Sequence, residues 1–198
     1  MLLYNSAVSG NCYKVRLLLA HLGVEYERRE VSVVDRSGRA ELLGALNPAL
    51  RVPTLVLDDG RPLAESNAIL WYFARGTPYL PLDGYELAQV LQWMFFEQYS
   101  HEPNIAVVRF RVAIAKKPLP EPELQALYAA GYKALEAMEA WLEGRSFLVA
   151  ECYTIADIAL YAYTHVAGEG GFSLERFPAI RDWLARVREQ PGHVPITA

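Results

Sequence analysis

Residues 52–66, VPTLVLDDGRPLAES, decide how the first half of the chain folds. The apolar run entered through Pro53 predicts a short strand, because proline is tolerated where a strand begins. Residues 58–60, DDG, predict a hairpin turn, and Pro62-Leu63-Ala64 predicts a second strand at the edge of a sheet. Ser66 opens an apolar helical pattern. The stretch therefore predicts strand, hairpin, strand and helix in succession.

The residues before this stretch predict a strand and a helix, twice over. Leu2-Leu3-Tyr4 predicts a buried strand, and apolar residues at helical spacing then end at Gly23, which is typical of a helix closed by glycine. These apolar residues are Val15, Leu18, Leu19 and Leu22. A second strand is expected within residues 27–33 and a weaker helix within residues 40–46. Because proline restricts the residue before it to extended backbone, Asn47-Pro48 must end that helix. The predicted order for residues 1–76 is βαβαββα.

Beyond residue 84 the pattern is helical throughout. Two long stretches carry apolar residues three and four apart, and we expect the two helices to pair antiparallel. The first contains Leu87, Val90, Leu91, Met94 and Phe95, and the second contains Leu124, Leu127, Tyr128, Gly131, Leu135, Met138 and Leu142. Thr154-Ile155-Ala156-Asp157 predicts a capping box at the start of a third helix, and Pro178 opens a last one. We predict an α/β domain at 1–76, a linker at 77–85 and an all-α domain at 86–198.

Composition and charge exclude several classes of protein. The chain has 198 residues, of which 53% are hydrophobic and 21% charged, as in an ordinary folded protein. Its net charge of −4 disfavours binding to nucleic acid. Cys12 and Cys152 are too few for a disulfide scaffold, and no ligand spacing predicts a metal site. Residues 17–20 are too short an apolar run to span a membrane or be exported. We expect a cytoplasmic protein without a metal or a membrane partner.

Four segments, in their order and spacing, resemble the cytosolic glutathione transferases. They are residues 9–16 (SGNCYKVR), Asn47-Pro48 followed by Arg51-Val52-Pro53, residues 65–69 (ESNAI), and residues 154–157 (TIAD). The resemblance covers nearly the whole chain. It implies a thioredoxin-like N-terminal domain, a helical-bundle C-terminal domain, glutathione as cosubstrate and a C2 homodimer. The Ser9-x-Asn11 pattern is similar to the serine-type theta-, zeta- and nu-like bacterial members, and Tyr4 is expected in the core.

Ser9 is the first candidate catalytic residue. It stands where the first strand turns into the first helix, so its hydroxyl and the unpaired helix N–H groups point at one spot suited to an anion. The resemblance implies that this hydroxyl hydrogen-bonds the glutathione sulfur and lowers its pKa. A helix N-cap role would also explain a serine here. Asn11, in the first helical turn, is the second candidate, with a cap or turn role as its alternative.

Cys12 follows Ser9 at the spacing of a C-x-x-C motif in which serine replaces the first, attacking cysteine. A dithiol mechanism within one chain is therefore disfavoured, and we expect Cys12 to be a buried small apolar residue.

The resemblance also implies which residues bind glutathione. It implies a cis bond before Pro53 that leaves the backbone of Val52 open to pair with the cysteinyl part of the peptide, although a trans proline at a strand start fits the sequence equally. Ser66 is expected to receive the γ-glutamyl carboxylate and Glu65 to face the ammonium group. Arg51 either meets the glycyl carboxylate or faces solvent.

The second substrate is less well specified by the sequence. A helix rich in aromatic and polar residues is expected to border its pocket. The candidate lining residues are Tyr99, His101, Asn104, Arg109 and Phe110. The alternatives are that the aromatic stripe is core, that the basic run is a solvated face, and that His101 is a hydrogen-bonded helix residue.

These observations favour a glutathione-dependent transferase that directs the thiolate at an electrophile, a peroxide or a disulfide. Fold alone does not fix activity, so a non-catalytic interaction module of the same architecture is the first alternative. The second is a reductase that works on disulfides through two bound glutathiones and no protein cysteine, as nu-like relatives do.

Overall fold

The computed structural model describes residues 1–198, which form two compact units. The first contains Met1–Arg75 together with Pro191–Ala198, and the second contains Gly76–Gln190. The division differs from the predicted one at the C-terminus, since the last eight residues, 191–198, belong to the first unit. The reason is a set of hydrogen bonds between this tail and the first helix, which apolar periodicity cannot reveal.

The first unit is a four-stranded sheet with helices on both faces. Its elements are β1 (Leu2–Asn5), α1 (Gly10–His21), β2 (Glu27–Glu30), α2 (Arg39–Leu43), β3 (Thr54–Val56), β4 (Pro62–Ala64) and α3 (Ser66–Ala74). The strand order is β2-β1-β3-β4; β1 runs parallel to β2 and antiparallel to β3, which is antiparallel to β4. The predicted order βαβαββα is confirmed, with β2, α2 and β3 each shorter than expected.

Two apolar clusters fix the sheet between its helices. Successive residues of a strand point to opposite faces, so Leu3 packs with residues of α1 and α3, whereas Tyr4 packs on the other face with Val31 and Leu43. Tyr4 lies in the core, as predicted.

The second unit consists of helices. They are α4 (Gly84–Phe96), α5 (Glu102–Arg109), α6 (Glu121–Leu142), α7 (Ile155–Thr164) and α8 (Pro178–Arg188). A π-helical turn at Glu97–His101 joins α4 to α5, and a second at Phe110–Ile114 extends α5. Residues 84–114 thus form one continuous helical segment.

This segment runs antiparallel to α6, which confirms the predicted pairing. The rings of Trp93 and Trp141 lie 5.6 Å apart between centroids. Twelve residues further along the segment, Ile105 lies beside Gly131 of α6. Phe95 is exposed, contrary to the prediction, because the buried face of α4 carries Val90, Trp93 and Met94.

The predicted capping box is present at the start of α7. The Thr154 hydroxyl accepts the Ala156 N–H, and Asp157 Oδ2 accepts the Thr154 N–H at 2.9 Å. Asp157 Oδ1 accepts two further bonds, from the Leu148 N–H at 3.0 Å and the Trp183 indole at 2.9 Å. The carboxylate therefore ties α7, every residue of which is buried, to α8 and to the preceding loop.

Replacement of Asp157 by asparagine should destabilise the protein by about 2 to 4 kcal/mol, because one amide oxygen cannot serve the donors that two carboxylate oxygens serve. Burial raises the pKa of Asp157 to about 6, against the lowering effect of its hydrogen bonds. The folded state thus binds the proton more tightly than the unfolded state, so this group contributes less stability as pH rises from about 4 to about 6. Urea unfolding of wild type and Asp157→Asn across that range measures both effects. A stability difference that is constant or grows with pH would contradict this assignment.

Candidate active site

The register of the sheet brings three loops to one edge. Tyr4 of β1 pairs with Thr54 of β3, and Thr54 pairs with Ala64 of β4. The chain leaves β1 just after this row, enters β3 just before it and leaves β4 just after it. Residues 6–9, 51–53 and 65–66 therefore share one edge of the sheet.

Helices α1 and α3 both begin at this edge. Ser9 is the N-cap of α1: its hydroxyl accepts the Cys12 N–H at 3.3 Å, and its own N–H donates to the Ser6 carbonyl at 3.0 Å. The unpaired N–H groups of a helix N-terminus give it a partial positive charge. Two such termini side by side make this edge favourable for an anionic ligand.

A polar cluster joins the first turns of the two helices. The buried Ser66 hydroxyl donates to Asn11 Oδ1 at 3.2 Å, and Lys14 Nζ lies 3.4 Å from Ser66 Oγ and 3.5 Å from Asn67 Oδ1. Lys14 is fully buried. Our sequence analysis did not single it out, although its spacing of three from Asn11 puts both side chains on one face of α1.

Glu65 occupies a strained backbone conformation at the start of α3. Its φ of 66° lies in the left-handed region, which side chains other than glycine rarely adopt. Its carbonyl accepts the Ile69 N–H at 3.0 Å, and its carboxylate is exposed beside the helix N-terminus. Such strain is concentrated at ligand sites.

The loop before β3 is shaped by Asn47. Its amide donates to the Arg51 carbonyl at 3.1 Å and to Thr54 Oγ1 at 3.0 Å. The Val52-Pro53 peptide is cis, which settles the alternative that the sequence left open. The Arg51 side chain is exposed, and the backbone of Val52 makes no hydrogen bond within the chain. From the sequence, Asn47 was predicted only to end a helix, and its role in shaping this loop was not predicted.

Cys12 is unsuited to act as a nucleophile. It is fully buried, and the Ser6 N–H donates to its sulfur at 3.3 Å. Burial raises its pKa to about 11, although the hydrogen bonds of Ser9 and Ser6 and the charge of Arg16 act in the opposite direction. At this pKa the thiol is protonated at neutral pH, and the expectation that Cys12 is buried is confirmed.

The residues predicted to line a second-substrate pocket lie in one helical segment of the second unit, with different exposure and partners. Tyr99 is 87% exposed, whereas His101 is buried with Nε2 2.9 Å from Thr164 Oγ1. Arg109 is buried and pairs with Glu169 at 2.8 Å. Asn104 donates to the Ser100 carbonyl at 2.6 Å, and Phe110 is half-buried in the second π-helical turn. The polar groups of His101 and Arg109 bind neighbours inside the helical unit, as the alternative of a hydrogen-bonded helix residue expected for His101, and the shared lining stays a prediction.

No group of three or more His, Cys, Asp or Glu side chains is arranged to hold a metal ion. The helices include none with the length and apolar character needed to cross a membrane.

Comparison with known proteins assigns the family. Residues 8–75 match the model of the glutathione S-transferase N-terminal domain, and residues 101–191 match that of the glutathione S-transferase C-terminal domain. The chain belongs to the glutathione S-transferase family. The resemblance carried by the four sequence segments is thereby confirmed, together with the thioredoxin-like and helical domains that it implied.

Three relatives illustrate the range of this transferase family. A glutathione S-transferase from Pseudomonas fluorescens Pf-5, known from its crystal structure, is 48% identical with a TM-score of 0.94, and the match covers 100% of this chain and 98% of the other. The disulfide-bond oxidoreductase YfcG of Escherichia coli K12 is 30% identical over 94% of this chain and 89% of its own. Glutathione S-transferase 2 of Schizosaccharomyces pombe is 28% identical over 96% of this chain and 91% of its own.

The burial of Cys12 predicts that a thiol reagent modifies only one cysteine of the native protein. Cys152 is exposed and should react, whereas Cys12 should react only after unfolding. Mass spectrometry of wild type, Cys12→Ser and Cys152→Ser after a brief treatment with iodoacetamide measures this. Rapid labelling of Cys152→Ser in its native state would contradict the placement of Cys12.

Proposed function

We propose that this transferase binds reduced glutathione at the loop edge of the sheet and directs its thiolate at an electrophilic cosubstrate. The convergence of three loops and two helix N-termini at that edge carries the proposal. Ser66 and the first N–H groups of α3 suit the γ-glutamyl carboxylate, and the exposed Glu65 suits the ammonium group. The unpaired backbone of Val52 suits the cysteinyl segment, which would add to β3 like a short strand. Arg51 is free to meet the glycyl carboxylate.

Ser9 is the proposed thiol-activating residue. Its oxygen accepts the Cys12 N–H, and a hydroxyl that accepts one bond still has its own proton to donate. A thiolate at this point receives that hydrogen bond and lies at the positive end of α1, so the thiol pKa falls and the reactive fraction rises. Asn11 lies in the first turn of α1, two residues after Ser9, and through Ser66 links the thiol end of the site to the carboxylate end.

The proposed reaction needs no protein nucleophile. With an activated aromatic halide, the glutathione sulfur forms a bond to carbon, the carbon–halogen bond breaks, and the halide leaves with the electron pair. The thiol proton has already passed to solvent. Conjugation of this kind detoxifies the electrophile. The two cysteines, both free, support an assignment to the reducing cytoplasm.

Disulfide reduction is the second candidate function. The name of the relative, disulfide-bond oxidoreductase YfcG, supports this reaction, and the burial of Cys12 favours a route without a protein thiol. One glutathione thiolate attacks the disulfide, forms a mixed disulfide and releases the first thiol. A second glutathione attacks the mixed disulfide, releases the second thiol and leaves glutathione disulfide. The two glutathiones supply both electrons.

Calorimetric titration with reduced glutathione tests the step common to both reactions. We expect saturable binding at one site per chain. Ser9→Ala should keep that binding and lower kcat with an aromatic halide about a hundredfold, the usual cost of removing a donor to a developing or bound anion. Ser9→Thr retains hydroxyl and helix cap and should stay close to wild type.

Three results would count against this account. Absence of heat at millimolar glutathione, with an unchanged melting temperature, would favour the non-catalytic interaction module. Unchanged turnover in Ser9→Ala would exclude the Ser9 mechanism while leaving glutathione binding intact. Turnover in Ser9→Thr as low as in Ser9→Ala would show that the presence of a hydroxyl at position 9 does not account for thiol activation.

We further propose that the protein is a C2 homodimer joined through the exposed face of the α4 segment. Tyr85, Phe95 and Tyr99 lie on one side of this segment and are 73%, 68% and 87% exposed, and Leu82 just before it is 91% exposed. Large apolar side chains grouped in this way mark an interaction surface. A second copy is the natural occupant because a two-fold axis makes such a face complementary to itself.

Light scattering at micromolar concentration should therefore give about twice the chain mass of 22.2 kDa. The double variant Phe95→Glu with Tyr99→Glu should shift the protein to the monomer, since it places like charges in the interface. Lys117→Glu, on the loop before α6, is the control and should remain dimeric. A monomeric wild type would contradict the proposal.

A further inference from the structure

The loop that leads into Ser9 is held from within by Arg16. This α1 side chain is only 2% exposed. Its Nη1 donates to Asn5 Oδ1 at 2.7 Å and to the Ser6 carbonyl at 3.4 Å, and its Nη2 donates to the Ala7 carbonyl at 3.2 Å. The guanidinium thus contacts each of the three residues that follow one another out of β1.

Glu30, at the end of β2, holds the same loop from the other side. One carboxylate oxygen accepts the Asn5 amide, and the other accepts the Ala7 N–H at 3.0 Å. Asn5 therefore lies between Arg16 and Glu30. Its amide oxygen accepts a hydrogen bond from Arg16, and its amide nitrogen donates one to Glu30. The charged and titratable groups whose fields act on Arg16 are Glu30, Arg28, Tyr26 and Cys12.

The C-terminal tail supplies the remaining partner of Arg16. Nη2 also donates to the Ile196 carbonyl at 2.5 Å. The tail is also held on either side of that point. The Tyr13 hydroxyl of α1 donates to the Val194 carbonyl at 2.7 Å, and Arg28 of β2 donates to the Ala198 carbonyl at 2.8 Å. A continuous set of hydrogen bonds therefore runs from the tail through Arg16 to the loop before Ser9.

The energetics of a buried guanidinium make the tail carbonyl significant. Each hydrogen bond that a buried guanidinium loses without replacement costs desolvation free energy. Without Ile196, Nη2 keeps the Ala7 carbonyl but loses its shorter hydrogen bond, and we expect Arg16 to turn toward water or toward a different set of carbonyls. Either movement displaces the atoms of Asn5, Ser6 and Ala7 that accept from Arg16. Ser9 follows them, because its N–H donates a hydrogen bond to the Ser6 carbonyl.

We propose that the tail, through the Ile196 carbonyl and Arg16, positions the Ser9 hydroxyl for thiol activation. The inference rests on the function proposed for Ser9. Arg16 and Ile196 act through the loop and are positioning residues. Misplacement of a catalytic group by about 1 Å is enough to lower a reaction rate by up to about a hundredfold. A merely structural tail would change stability and leave thiol activation unaltered.

Two truncations isolate the Ile196 carbonyl. A chain ending at Ile196 loses the Arg28 contact but keeps an oxygen for Arg16, whereas a chain ending at Val194 loses both. With the chain ending at Val194, we expect the thiolate fraction of bound glutathione at neutral pH and kcat/KM each to fall about tenfold, as for a pKa raised by one. The glutathione Kd should change less than about twofold. The chain ending at Ile196 should match the 198-residue chain.

Ultraviolet absorbance of the thiolate, steady-state kinetics and calorimetry give these quantities, and amide hydrogen exchange reports the loop itself. Exchange at residues 6–9 should accelerate in the Val194 truncation alone. Equal thiolate fractions in all three chains, or equal exchange, would overturn the proposal. Exchange is measured without ligand, so it decides the positioning role even if the 198-residue chain fails to bind glutathione. Failure to bind glutathione would instead refute the proposed function.

Discussion

The pairing of Tyr4, Thr54 and Ala64 across β1, β3 and β4 is the constraint on which the site depends. It aligns the end of β1 with the beginning of β3 and with the end of β4. The loops at these three strand ends are distant in sequence and therefore meet at one edge of the sheet. Leu3 and Leu55 fix that register, because a slip by one residue would turn them out of the core. The core thus determines where a ligand is able to meet Ser9, Val52 and Ser66 together.

Buried polar groups then give this edge its chemistry. Lys14 and Arg16 each place a cationic side chain inside the first unit, behind the two stretches of backbone that would contact glutathione. Burying such groups costs free energy that apolar residues in their place would not. Their hydrogen-bond partners are oxygens of loops and helix termini, so these buried cations hold the loops in place at a cost in folding free energy. The strained Glu65 backbone has the same character.

The sequence predicts the elements well where the pattern is local. Alternation and helical spacing locate β1, β4, α1 and α3, and the Thr154-to-Asp157 spacing predicts a capping box that is present. Patterns of apolar residues carry no information about long-range polar contacts. Lys14 and the tail at Ile196 therefore went unpredicted, as did the contacts of the buried His101 and Arg109 with Thr164 and Glu169. The prediction that Phe95 lies on the buried face of α4 was wrong, because α4 buries a different face.

The most direct test of the central claim is the response of backbone amides to glutathione, measured by nuclear magnetic resonance. If one ligand joins the three loops, the amides of Cys12, Val52 and Ser66 shift together with a single binding constant. Saturation of only one of these amides, or of amides elsewhere in the first unit with these three unmoved, would contradict the claim that the sheet edge is the glutathione site.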